Sequence, residues 1–144
     1  MNATRKAIVN AALLLAGLSA CQQSVSADAL PLKRGYYVAS DTPCDQASNA
    51  TTMLLRRDGL GGARDFCEFK RIEQTGANSY RVIEACADFQ DQAPPENDVV
   101  TYTLRGDTAF TSTSERGWTR SARHCDQSAM PPDWRENDIS DVMK

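Results

Sequence analysis

Four cysteines, Cys44, Cys67, Cys86 and Cys125, and one histidine, His124, are the residues here whose chemistry is strongest and whose spacing is most restrictive. A zinc site wants closely spaced ligand pairs, whereas these cysteines lie 23, 19 and 39 residues apart with His124 as the sole imidazole. Metal binding is therefore not expected, and no cofactor is. His124 also lacks the partners of a Ser/His/Asp or Cys/His arrangement, and it adjoins a cysteine whose thiol a disulfide would consume. Gly59, Gly61 and Gly62 are followed by no Lys-Ser or Lys-Thr, so they read as turn residues and not as a phosphate loop. Asp133, Glu136, Asp138 and Asp141 lack the central glycine of a calcium loop and read as a solvated face. Paired carboxylates could cleave glycosides, but nothing selects one pair among the 19 acidic residues. The chain is expected not to be an enzyme.

An even set of cysteines becomes a disulfide framework only in an oxidising compartment, and the start of the chain supplies the argument for one. Arg5 and Lys6 precede a twelve-residue apolar run from Ala7 to Leu18, too short to span a bilayer, which needs about 20 such residues. This is the pattern of an export signal. The run ends in Leu18-Ser19-Ala20-Cys21, which resembles the lipobox of bacterial lipoproteins. That resemblance implies that residues 1–20 are removed, that Cys21 becomes a lipidated N-terminus, and that the protein is anchored to a membrane without spanning it. Gln22 and Gln23 stand where an aspartate would mark inner-membrane retention, so the resemblance points to the outer membrane, facing the periplasm. The competing reading is cleavage after Val25-Ser26-Ala27, giving a soluble periplasmic or secreted product.

Loss of Arg5 and Lys6 would leave 14 basic residues against 19 acidic ones, a net charge of −5. This argues against nucleic acid as a partner, since the basic residues alternate with acidic or apolar neighbours and form no basic face. Residues 21–32, small and polar, read as a flexible tether, 33–125 as one β domain and 126–144 as a C-terminal segment.

Within 33–125, seven short runs rich in β-branched and aromatic residues are separated by turn formers. They begin near Tyr36, Thr51, Phe66, Tyr80, Val99, Thr108 and Gly117. The fold is expected to be all-β: a small antiparallel meander or barrel of about seven strands, with two disulfides and a short C-terminal helix from Pro132 to about Val142. A hairpin about Gly76-Ala77 would set Cys67 opposite Cys86 and leave Cys44 to Cys125. The pairing Cys44 to Cys67 with Cys86 to Cys125 stays open. The segment Asp88 to Asp98, with Pro94-Pro95, is expected to be an exposed loop. Trp118 is expected in the core, and Trp134 is the candidate partner contact.

These features suit a non-enzymatic binding module on an envelope surface, with an unidentified protein or envelope component as its ligand. Its architecture of lipid anchor, small β-barrel and disulfides resembles the membrane-bound inhibitors of c-type lysozyme, which implies inhibition of a basic hydrolase. The alternative is a small-molecule carrier with a ligand cavity inside a lipocalin-like barrel, although Leu54, Leu55, Phe69, Val82, Ile83 and Leu104 are expected to fill so small an interior.

Overall fold

The computed structural model describes residues 23–144, so the expected export signal, residues 1–20, and Cys21 lie outside the described residues. Nine strands form: β1 (Val25–Ala27), β2 (Gly35–Ala39), β3 (Thr52–Leu55), β4 (Gly59–Gly61), β5 (Asp65–Gly76), β6 (Ser79–Asp88), β7 (Glu96–Arg105), β8 (Ala109–Ser114) and β9 (Thr119–His124). Each strand from β2 to β9 pairs antiparallel with the next, and β9 pairs back onto β2. The result is a closed, eight-stranded up-and-down barrel, an arrangement that removes sheet edges.

The seven expected strands are β2, β3 and β5 to β9; the two additional ones are β1 and β4. Gly59-Leu60-Gly61 is a strand and not a turn because Leu60 is buried and the glycines admit close neighbours. A Cβ on Gly59 would come within 2.4 Å of the Cys67 carbonyl oxygen and 2.5 Å of the Phe66 ring. β1 pairs with Ile72 to Gln74 of β5, on the edge that β4 leaves open. Behind it Leu30 and Leu32 are buried in the core. The segment expected as a free tether is thus largely part of the domain, because three apolar side chains among its polar residues have somewhere to go.

Two β-bulges in β5, at Lys70 and Thr75, move the β5–β6 turn one place, to Ala77-Asn78, while keeping Cys67 opposite Cys86. The disulfides are Cys67–Cys86, across that hairpin, and Cys44–Cys125, which closes 81 residues. β7 begins at Glu96, so the expected loop contracts to 89–95. Gly106, at φ +66°, makes the β7–β8 turn.

The barrel has two ends. The β3–β4, β5–β6 and β7–β8 turns lie at one, the turn end, and the connections 40–51, 62–64, 89–95 and 115–118 frame the other, the mouth. The turn end is filled: Phe110, with no exposed surface, lies between Tyr37 and Tyr102 at ring distances of 5.3 Å each, with Leu55, Val82, Val100 and Leu104 around them. Leu54, expected inside, points outward to a second cluster.

That cluster lies outside the barrel, where Tyr36, Val38, Cys125 and Met130 bury Ala47, Cys44, Leu54, Trp134 and Ile139. Strand β2 is therefore buried on both faces, Tyr37 inward and Tyr36 and Val38 outward. The C-terminal helix α1 covers only Pro132–Arg135. Gln127 Nε2 donates to the carbonyls of Trp134 and Asn137, and Asp138 accepts from the Ser140 N–H, so the chain turns across the barrel wall instead of continuing as helix.

A candidate ligand-binding mouth

Alternation along the strands sends every second side chain inward, and the inward set changes character from end to end. On β6 it runs Tyr80, Val82, Glu84, Cys86 toward the mouth, on β7 in reverse Leu104, Tyr102, Val100, Asp98, and on β8 Phe110, Ser112, Ser114. Apolar residues thus occupy the turn end, and acids and hydroxyls the mouth. Glu84 and Asp98 are direct cross-strand partners, as are Asp65 and Asp88 at the rim. Like charges in such positions repel.

Each acid is managed differently. Asp98 accepts from Ser114 Oγ at 2.7 Å and the Val99 N–H at 2.8 Å, and Arg116 Nε stands 3.9 Å away. Arg116 also holds Glu96 at 2.8 Å, and Arg64 stands 3.7 Å from Asp88. Glu84, 2 % exposed, accepts the Tyr102 hydroxyl on Oε1 at 2.6 Å. Burial pushes its pKa up to about 7, with Asp98 and Asp65 adding to the rise and the Tyr102 hydroxyl and Arg120 opposing it. Deeper still, the buried Ser112 hydroxyl has no hydrogen-bond partner among the described residues.

A pH dependence follows from Glu84. Its folded pKa lies above the ordinary 4.5, so its contribution to stability is full below pH 4.5 and is lost as pH rises toward about 7. The size is about 3 kcal/mol, since each tenfold change in proton affinity is worth about 1.4 kcal/mol. His124 works oppositely: burial, then Lys33, holds its pKa down, so its contribution falls as pH drops. Urea unfolding from pH 4 to 8 of wild type and Glu84→Gln is expected to differ by an amount that grows toward low pH in favour of wild type; parallel curves would contradict the burial of Glu84.

Two open depressions flank this interior and share Asp65 and Asp88. One, of about 390 Å³, is lined by Thr52, Met53, Arg64 and Arg120. The other, of about 400 Å³, is lined by the Cys67–Cys86 disulfide, Pro94, Glu96, Asp98, Arg116 and Trp118. Trp118 is not core: at 37 % exposed it stands on the rim after Gly117 (φ +97°), with the Arg120 guanidinium 5.3 Å over its ring.

Comparison with known proteins returns nothing. No protein-family model, no curated protein and no solved structure matches the chain.

Of the residues singled out in the sequence, Cys67, Cys86 and Trp118 reach this mouth. Cys44, Cys125 and Trp134 belong to the outer cluster, where Trp134 is half-buried. His124 packs its ring edge-on against Tyr37 at 5.5 Å, near the turn end and away from the mouth. Asp138 and Asp141 are separately engaged, by Ser140 and Arg56. Cys67, Glu84 and Cys86 have ligand-type atoms within 4.8 Å of one another, but the two sulfurs are bonded together and offer no thiolate. The mouth presents carboxylates, one tryptophan stacked by Arg120 and further guanidinium groups around a polar floor.

Proposed function

We propose that this chain is a lipid-anchored envelope protein whose barrel mouth binds a basic surface of a partner protein, without catalysis. The observation that carries the reading is the divided interior, a filled apolar end and an acidic mouth open on two depressions. Asp65, Asp88, Glu96 and Asp98 there suit arginine or lysine side chains, and their field would steer a basic partner into contact. A basic hydrolase such as a c-type lysozyme fits that description.

Anchoring at Cys21 is supported by β1. Cleavage after Ala27, the alternative, would remove a strand paired with Ile72 to Gln74 and an alanine packed on the core. Val25 enters the sheet near the turn end, and four residue steps from Cys21 reach at most about 14 Å. A lipid there would hold the filled end against the bilayer and turn the mouth toward the periplasm. An apolar cargo, by contrast, would have to displace Tyr37, Tyr102 and Phe110.

The test is association of the purified mature protein with c-type lysozyme across a salt series, beside an Asp65→Asn/Asp88→Asn variant. Affinity is expected to fall with salt and to drop about tenfold in the variant. Absence of any complex, with muramidase activity unaffected, would remove the inhibitor reading. A complex indifferent to both salt and the substitutions would remove the mouth as its site.

A further inference from the structure

The two disulfides sit in different surroundings. Cys44 is half-buried, but its partner Cys125 is 2 % exposed beneath the outer cluster, and the Arg123 guanidinium lies against both sulfurs, 2.9 Å from Cys44 Sγ and 3.3 Å from Cys125 Sγ. Cys67 and Cys86 are both half-buried and form the wall of the open depression of about 400 Å³, beside Pro94 and Trp118. Glu84 Oε2 stands 3.8 Å from Cys86 Sγ. Its other oxygen already accepts the Tyr102 hydroxyl, so a proton on this carboxyl belongs on Oε2, the oxygen that faces the sulfur. No part of the binding reading uses this pair.

We propose that the Cys67–Cys86 bond is an exchangeable disulfide, reduced through the mouth by an external dithiol, with Glu84 delivering the proton to the departing Cys86 sulfur. A thiolate of the dithiol attacks Cys67 Sγ, forming a mixed disulfide as the Cys67–Cys86 bond breaks. The electron pair leaves on Cys86 sulfur, which takes the proton from Glu84 Oε2. The second thiol of the dithiol loses its proton to water and attacks its partner sulfur in the mixed disulfide. Cys67 departs as a thiolate and is protonated by water. The dithiol ends as a disulfide, Cys67 and Cys86 as thiols, and Glu84 regains its proton from solvent. Attack is directed to Cys67 because the better leaving group is the sulfur that can be protonated as it leaves. The groups facing Glu84 are Tyr102 and Asp98 on β7, Arg120 on β9, Asp65 on β5 and Cys86 on its own strand. The proton is available below about pH 7, where this carboxyl is protonated.

The experiment is native-state reduction of the purified mature protein by dithiothreitol between about pH 5 and pH 8, with thiols trapped, tagged and assigned by peptide mass. Cys67 and Cys86 are expected to be tagged about tenfold or more faster than Cys44 and Cys125, with the intrinsic fluorescence of the folded state retained. After division by the thiolate fraction of the reagent, the wild-type rate is expected to fall as pH rises through about 7, and in Glu84→Gln that inflection is expected to vanish. Equal tagging of all four cysteines, or tagging only as the fluorescence of the folded state is lost, would overturn the exchange site. An identical pH profile in wild type and Glu84→Gln would overturn the role of Glu84, and if the variant does not fold, a wild-type profile with no inflection does so alone.

Discussion

Replacing Cys44 and Cys125 together by serine is expected to lower stability by about 4.5 kcal/mol, the loop-entropy value for a closed loop of 81 residues. The same reasoning gives about 3 kcal/mol for Cys67–Cys86, which closes 19 residues. The larger effect has a structural counterpart. Cys44 and Cys125 hold the connection 40–51 and the C-terminal segment against Tyr36, Val38 and Leu54, and without the bond those apolar faces depend on the cluster alone. Urea unfolding should show the midpoint falling with an unchanged barrel signal in far-ultraviolet circular dichroism. A loss below about 1 kcal/mol would mean that the unfolded chain is already constrained or that packing around Met130 and Trp134 carries the segment.

Phe110→Ala is expected to cost about 3 to 5 kcal/mol, the range for removing a fully buried aromatic ring. Phe110 touches both Tyr37 and Tyr102, and neither ring is free to collapse into the space. The Tyr37 hydroxyl donates to the Lys33 carbonyl at 2.8 Å, and the Tyr102 hydroxyl is held by Glu84. The cavity should therefore persist, and the loss should fall in the upper part of that range. Measured by thermal unfolding, a loss under about 1 kcal/mol would contradict a filled turn end.

The barrel was legible because its seven longer strands carry the alternation that a half-buried strand requires, and because one hairpin brings two cysteines to the same level. Strands β1 and β4 were not legible. Val25-Ser26-Ala27 and Gly59-Leu60-Gly61 carry one or two apolar residues each, and what makes them strands is a free edge of β5 and a gap beside β3, both tertiary facts. Trp118 misled for a related reason: a large aromatic usually buries, yet here a glycine with positive φ places it on the rim, and Arg120 covers one face instead of the core. The helix expected to reach Val142 stops at Arg135 because side chains of Gln127 and Asp138 compete for its backbone groups.

The mouth itself was the largest omission, and one signal of it was present. Tyr80, Val82, Glu84 and Cys86 share a face, so an acid lies on the apolar side of a strand. An inward carboxylate needs partners, and following it leads to Tyr102, Asp98 and Arg120. The pairing of Asp65 with Asp88 was within reach as well, because the hairpin register that sets Cys67 opposite Cys86 sets Asp65 opposite Asp88 two residues further on.

The proposed placement of the mouth toward the periplasm rests on lipidation at Cys21, and intact-mass analysis with membrane fractionation of the native protein, beside a Cys21→Ala variant, tests it most directly. The expected result is a mature chain beginning at Cys21, carrying acyl chains and recovered with outer membranes, while the variant is not acylated. A soluble, unacylated product beginning at Asp28 would contradict the account, since it would lack β1 and leave Ile72 to Gln74 an open edge.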